Sequence, residues 1–167
     1  MFFEKSESLV FPIAINSLKD SATFAVGIAS DMKAAFAAKG WTRLLVFLDG
    51  PMGVGKTRFV CDFAHALGAG EMASPSFAIH HSYRGDNYDI EHFDLFRLES
   101  EDDLESTGFW DCFRKREGIV IVEWAARLQV FGAIDQIPNS WPLLKLKFSF
   151  LGPVSESDER RCIEIEV

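Results

Sequence analysis

Residues 43–60 read RLLVFLDGPMGVGKTRFV. The run RLLVFL is continuously apolar after its first residue, the pattern of a strand covered on both faces of a sheet rather than one alternating between core and water. Gly50 to Thr57 then fits the spacing Gly-x-x-x-x-Gly-Lys-Thr of a phosphate-binding loop, and KTRFVCDFAHALG reads as a helix stopped by Gly68. Strand, glycine-rich turn and helix are the context that such a loop requires. Gly53 and Gly55 remove side chains from the approach, so the amides of Met52, Gly53, Val54 and Gly55 are free to converge on phosphate oxygens at the positive end of the helix. Lys56 is expected to bridge the β- and γ-phosphates, and Thr57 to offer its hydroxyl to Mg²⁺.

On either side of this unit the periodicity is mixed. LVFPIAI at 9–15 predicts a short strand, which Pro12 confines to an edge or a bulge. Leu18, Phe24, Ile28, Met32 and Phe36 recur at helical spacing, with Gly40 as the cap. SFAIHHSY and NYDIEHFDLFRL flank the turn signal RGDN, which predicts a β-hairpin. The acidic opening of ESEDDLESTGFWDCFRK suits a helix N-terminus, where carboxylates meet the positive end of the dipole. GIVIVEW predicts a buried strand ending in a carboxylate, and AARLQVFG one or two helical turns. LLKLKFSFLG and RRCIEIEV alternate around PVSESDE as a terminal hairpin with one solvated face. Together these elements predict an α/β fold: a P-loop NTPase-like three-layer domain with a mixed parallel and antiparallel sheet flanked by helices. A length of 167 residues and 48% hydrophobic content suit one such domain over residues 1–167, with 1–7 as an N-terminal extension.

Composition excludes several classes of function. The net charge of −8 argues against a direct grip on a nucleic-acid backbone, which needs clustered Lys and Arg. No apolar run approaches the roughly 20 residues that cross a bilayer, and the N-terminal segment has neither a basic leader nor a small-residue cleavage site. Cys61, Cys112 and Cys162 are odd in number and widely spaced, so neither a disulfide framework nor a zinc site is indicated. A cytoplasmic protein with reduced thiols is expected.

A phosphate-binding loop enzyme needs a carboxylate at the end of a neighbouring buried strand to hold Mg²⁺ directly or through water. Glu123 closes the central apolar run IVIV and is expected to be the main metal carboxylate, because burying it without a metal or partner is costly. Asp94, in the less regular EHFDLFRL, is expected to act through water, with a turn or capping aspartate as the alternative.

The segments GPMGVGKT, SPSF, HFDLFRL, DLESTGF and VEW occur in this order and at separations that resemble the TsaE (YjeE) family, over about residues 8 to 167. That resemblance implies an ATP- and Mg²⁺-binding domain with weak intrinsic ATPase activity, serving bacterial tRNA threonylcarbamoyladenosine biosynthesis. It implies docking on the TsaD–TsaB pair, which carries out the transfer, with tRNA reached only through that complex. By position it assigns Lys56 and Thr57 to phosphate and Mg²⁺, Glu123 to the metal, and Asp94 to hydrolysis and the metal. It places Ser76 in a switch-like loop where the family usually has threonine, and Asp20 and Thr23 near the nucleotide base. Trp124 matches a family tryptophan, although a buried anchoring role is equally natural for an aromatic there. Pro51, which has no N–H, and Ala125, where the family often has proline, depart from the pattern.

Other features carry less. His80 and His81 are adjacent on a strand and point to opposite faces, so they are not expected to share an ion, and no metal site is expected of His80, His81 and His92. The acidic run Glu99 to Glu105 suits a solvated helix start or a surface facing a basic partner. A small-molecule kinase would require an acceptor pocket and an arginine-bearing lid, for which Arg114 and Arg116 are the nearest pair. A binding module in which ATP only orders a docking surface requires the same residues as an ATPase.

Overall fold

The computed structural model describes residues 11–70, 78–151 and 160–166. Strand β2 (Arg43–Asp49) lies at the centre of a seven-stranded sheet, between β5 (Gly118–Glu123) and β6 (Leu143–Phe150), and is parallel to both. Strand β4 (Asp89–Asp94) continues the parallel part beyond β5, and β3 (His80–Arg84) closes that side as an antiparallel hairpin partner. On the other side β7 (Arg161–Glu166) runs antiparallel to β6, and β1 (Phe11–Ile15) antiparallel to β7, giving the order β1-β7-β6-β2-β5-β4-β3. The mixed sheet is the one expected, and Pro12 sits on its outermost strand, where a missing N–H breaks no inner ladder.

Two apolar layers explain why β2 does not alternate. Leu44, Val46 and Leu48 face helices α1 (Leu18–Lys39) and α2 (Lys56–Ala66), where Phe24, Ile28, Met32, Phe59 and Phe63 are buried. Leu45 and Phe47 face the other way, toward helix α3 (Glu101–Ser106), a 3₁₀ turn at Phe109–Arg114 and helix α4 (Ala126–Val130), against Leu104, Phe109 and Leu128. Burying a phenylalanine such as Phe59 contributes about 2–3 kcal/mol, and truncating it to alanine costs about 3–5 kcal/mol because a cavity remains.

Local chemistry sets the boundaries. Ser17 accepts from the Asp20 amide at the start of α1, and Gly40 ends the helix in a left-handed conformation at φ 64°. Ser100 and Asp103 form a reciprocal capping box on α3, so the acidic run opens a helix as anticipated. Leu18 departs from the expected apolar stripe: it is the first helical residue and 55% exposed, while Ala25, Ala29 and Ala35 fill the buried face instead. The strand expected through Leu98 ends at Asp94, whose Oδ1 accepts from the Phe96 amide and turns the chain out of the ladder.

Candidate phosphate-binding site

The loop leaves β2 where the backbone passes very close to β6. A Cβ on Gly50 would lie 2.3 Å from the Phe148 carbonyl oxygen, so only glycine permits this exit. Gly55 takes φ 108° as the N-cap of α2, with no side chain capping the helix amides. Val54 is buried and ties the loop to the core, while Met52 stands exposed at its rim. Lys56 arches back over the loop, its Nζ donating to the carbonyls of Gly50 at 2.7 Å and Pro51 at 2.9 Å. The same ammonium lies 4.1 Å from the Trp124 ring centroid. Burial lowers its pKa from the usual lysine value, against the opposing pull of Glu123, Asp94 and Asp49.

The parallel register of β4 and β5 sets Asp94 opposite Glu123 at the strand ends beside this loop. Glu123 is 2% exposed, and both of its oxygens have partners. Thr57 Oγ1 donates to Oε2 at 3.0 Å, and His92 Nε2 lies 2.9 Å from Oε1. A cavity of about 250 Å³ is bounded by Gly53, Gly55, Lys56, Thr57, Asp94, Glu123 and Trp124. Trp124 holds φ 59°, the left-handed region that costs a non-glycine residue roughly 1–2 kcal/mol. Its amide donates to the Leu48 carbonyl, and the turn sets its ring between Lys56 and Phe96. Trp124 is therefore half-buried, lining the cavity and also packing against the apolar layer that contains Leu104, Phe109 and Leu128. With Ala125 in place of proline, the chain enters α4 at once.

Five residues from three parts of the chain thus converge: Lys56, Thr57, Asp94, Glu123 and Trp124. Asp20 and Thr23 do not line this cavity. Asp20 accepts from the Asn16 amide and Thr23 donates to the Lys19 carbonyl, local bonds at the start of α1. Their helix does reach the loop from its far side, where Leu18, Ser21, Gly53, Gly55, Phe148 and Arg161 bound a second cavity of about 250 Å³. Ser76 lies outside the described residues, as do residues 1–7 and the loop PVSESDE. Sequence reasoning did not single out Arg58 and Phe96, which also line the first cavity, or Arg161, which comes from the last strand. His92 carried a readable signal: strand alternation in IEHFD puts it on the face of Asp94.

The donor set fits Mg²⁺ and a polyphosphate. Thr57, Glu123 and Asp94 offer only oxygen, as a hard cation prefers, and Lys56 with the uncapped amides of α2 offers positive charge beside them. A second cluster on the opposite face is different. His80, Glu91 and Cys112 bring ligand atoms within 4.8 Å of one another, but Glu91 already accepts from His80, Ser82 and the Lys115 ammonium. That carboxylate is satisfied by protein.

A central parallel sheet whose first inner strand passes through a glycine loop into a covering helix makes this a P-loop NTPase-like α/β fold. A crystal structure of Bacillus subtilis YdiB shares it, with a TM-score of 0.67 at 23% identity over 97% of this chain and 88% of that one. Residues 15–149 match the family model described as threonylcarbamoyl adenosine biosynthesis protein TsaE, and the chain belongs to the TsaE family. It is similar to the tRNA threonylcarbamoyladenosine biosynthesis protein TsaE of Bacillus subtilis, 36% identical over 109 residues, covering 65% of this chain and 62% of that protein. The corresponding protein of Borreliella burgdorferi is 34% identical over 105 residues, covering 63% and 72%. That of Haemophilus influenzae is 32% identical over 87 residues, covering 52% and 54%. The chain spans just over half the length of the Haemophilus relative and less than two thirds of the Bacillus one.

Proposed function

We propose that this chain is an Mg²⁺-dependent ATPase that serves bacterial tRNA threonylcarbamoyladenosine biosynthesis in the cytoplasm, docking on a TsaD–TsaB pair to sustain its cycle. The observation that carries the reading is the bond from Thr57 to the buried Glu123 beside Lys56 and Asp94, a cation-ready oxygen set at the mouth of a phosphate loop. The family named for that biosynthesis supports the pathway. No helix among the described residues is long and apolar enough to cross a membrane.

Each side chain has a distinct task. Lys56 rests on two carbonyls of its own loop, which hold the ammonium extended over the cavity, and exchanging them for phosphate oxygens requires little rearrangement. Thr57 and Glu123 would hold Mg²⁺, which when bound neutralises charge on the phosphate oxygens. Asp94, whose Oδ1 accepts from the Phe96 amide, would orient an attacking water. Trp124 shields the ammonium from solvent and strengthens its field in the cavity. The acidic surface leaves tRNA to the partner complex.

ATP turnover should be measured for the chain alone and with TsaD plus TsaB, while tRNA modification is followed over many cycles. Lys56→Ala should abolish nucleotide binding and multi-turnover modification, and intact cycling in that variant would overturn the reading. Phosphate transfer to a small metabolite would assign the site to a kinase instead.

A further inference from the structure

We propose that His92 is a positioning residue for the metal carboxylate, holding Glu123 in its ligating orientation from behind. The inference rests on the nucleotide reading above and assigns a task to a buried residue that this reading leaves unused. In strand β4, Ile90, His92 and Asp94 share the face toward α2, and the pairing with β5 sets His92 against Ile121 and Asp94 against Glu123. The His92 ring therefore reaches diagonally forward, bringing Nε2 within 2.9 Å of Glu123 Oε1, with the two side chains 1% and 2% exposed.

The division of labour at Glu123 gives this bond its meaning. Oε2 is held by Thr57, whose hydroxyl is also a cation ligand in the proposed site. Once that hydroxyl turns to a cation, His92 is the remaining side-chain donor on Glu123 among the described residues. Outer partners of this kind set the orientation of a ligating group, and their loss typically weakens metal affinity by about 10–100-fold.

His92 sits among other buried polar side chains. Its Nδ1 is buried with no hydrogen-bond partner among the described residues, and so are Tyr83 Oη and His81 Nε2. The Tyr83 ring lies 6.3 Å from that of His92 and 6.0 Å from that of His81, so the three rings are neighbours. An unmatched buried polar group costs about 1–3 kcal/mol, whereas a leucine at position 92 would avoid that cost.

The test is Mn²⁺ titration followed by electron paramagnetic resonance in saturating ADP, with ADP affinity also measured in EDTA. His92→Leu should weaken Mn²⁺ at least about tenfold while metal-free ADP affinity stays within about twofold. His92→Gln, whose amide nitrogen reaches the position of Nε2, should restore most of the loss. Unchanged Mn²⁺ affinity in His92→Leu overturns the assignment, as does an equal loss of metal-free ADP binding. Should His92→Leu not fold, imidazole ¹⁵N spectra of the unaltered protein decide: a hydrogen on Nε2 that shifts on adding Mg²⁺ and ADP supports the role, and an Nε2 without hydrogen overturns it. Unaltered protein that binds no ADP overturns the nucleotide reading together with this one, whereas normal ADP binding with an indifferent His92→Leu overturns this one alone.

Discussion

Strands β3, β4 and β5 carry two histidine–glutamate pairs on opposite faces of the sheet, built from neighbouring residues and put to different ends. On the α3 side, Glu91 accepts from His80, Ser82 and Lys115 and is 7% exposed. On the α2 side, Glu123 accepts from Thr57 and lies against His92, with the Lys56 ammonium engaged by loop carbonyls instead. Burial pushes Glu91 upward, yet the bonds from His80, Lys115 and Ser82 outweigh it and hold the carboxyl at about 2. A buried carboxylate with a lysine already bound is finished as structure. One with only a hydroxyl and an imidazole, opening on a cavity, has room for a cation.

The largest effect should come from breaking the unfinished pair. Glu123→Gln keeps the volume and an acceptor but removes the charge, and ATP hydrolysis should fall on the order of 100-fold in a steady-state assay, with the melting temperature little changed. Glu91→Gln should do the reverse, leaving hydrolysis within about threefold.

Its effect is on stability. Because the folded Glu91 carboxyl titrates at about 2, below its ordinary 4.5, its stabilisation is present above pH 4.5 and is lost as pH falls toward 2. Discounted for the half-exposed Lys115, this amounts to about 2 kcal/mol at neutral pH. Urea unfolding at pH 7 and at pH 3 should show a smaller difference for Glu91→Gln than for the unaltered chain, and an equal difference would dissolve the contrast between the pairs. Lys115→Ala removes only one of three donors and should cost about 1 kcal/mol while moving the acid transition to higher pH. Ser82→Ala should be the mildest, at about 0.5–1 kcal/mol in the same unfolding assay, with ATPase activity unaffected.

Much of the architecture was legible because it is written in local patterns. The strand RLLVFL, the loop GPMGVGKT and the helix after it are adjacent in the chain, and each is marked by periodicity or glycine. The RGDN turn and the edge position of Pro12 follow from similarly short-range constraints. Glu123 was visible as the carboxylate closing a buried strand, and Asp94 as an acidic residue within the neighbouring segment EHFDLFRL. Leu18 was misplaced because helical spacing alone does not say which small residues can replace a large one on the buried face. The end of β4 was set too late because the Asp94 turn depends on a side-chain bond that composition does not reveal. Arg161 and the contact of Trp124 with Lys56 depend on chain segments far apart in sequence, for which no periodic signal exists.

The amino-acid sequence by itself determined the class of fold, the phosphate loop and the carboxylates available to it, since backbone geometry and apolar periodicity act over a few residues. Only the tertiary structure decided which carboxylate was satisfied and which was left open. That choice depends on strand register and on which face each side chain meets. Glu91 and His92 are consecutive residues that differ by one step of the pleat, and that step sends one to a lysine and the other to the site.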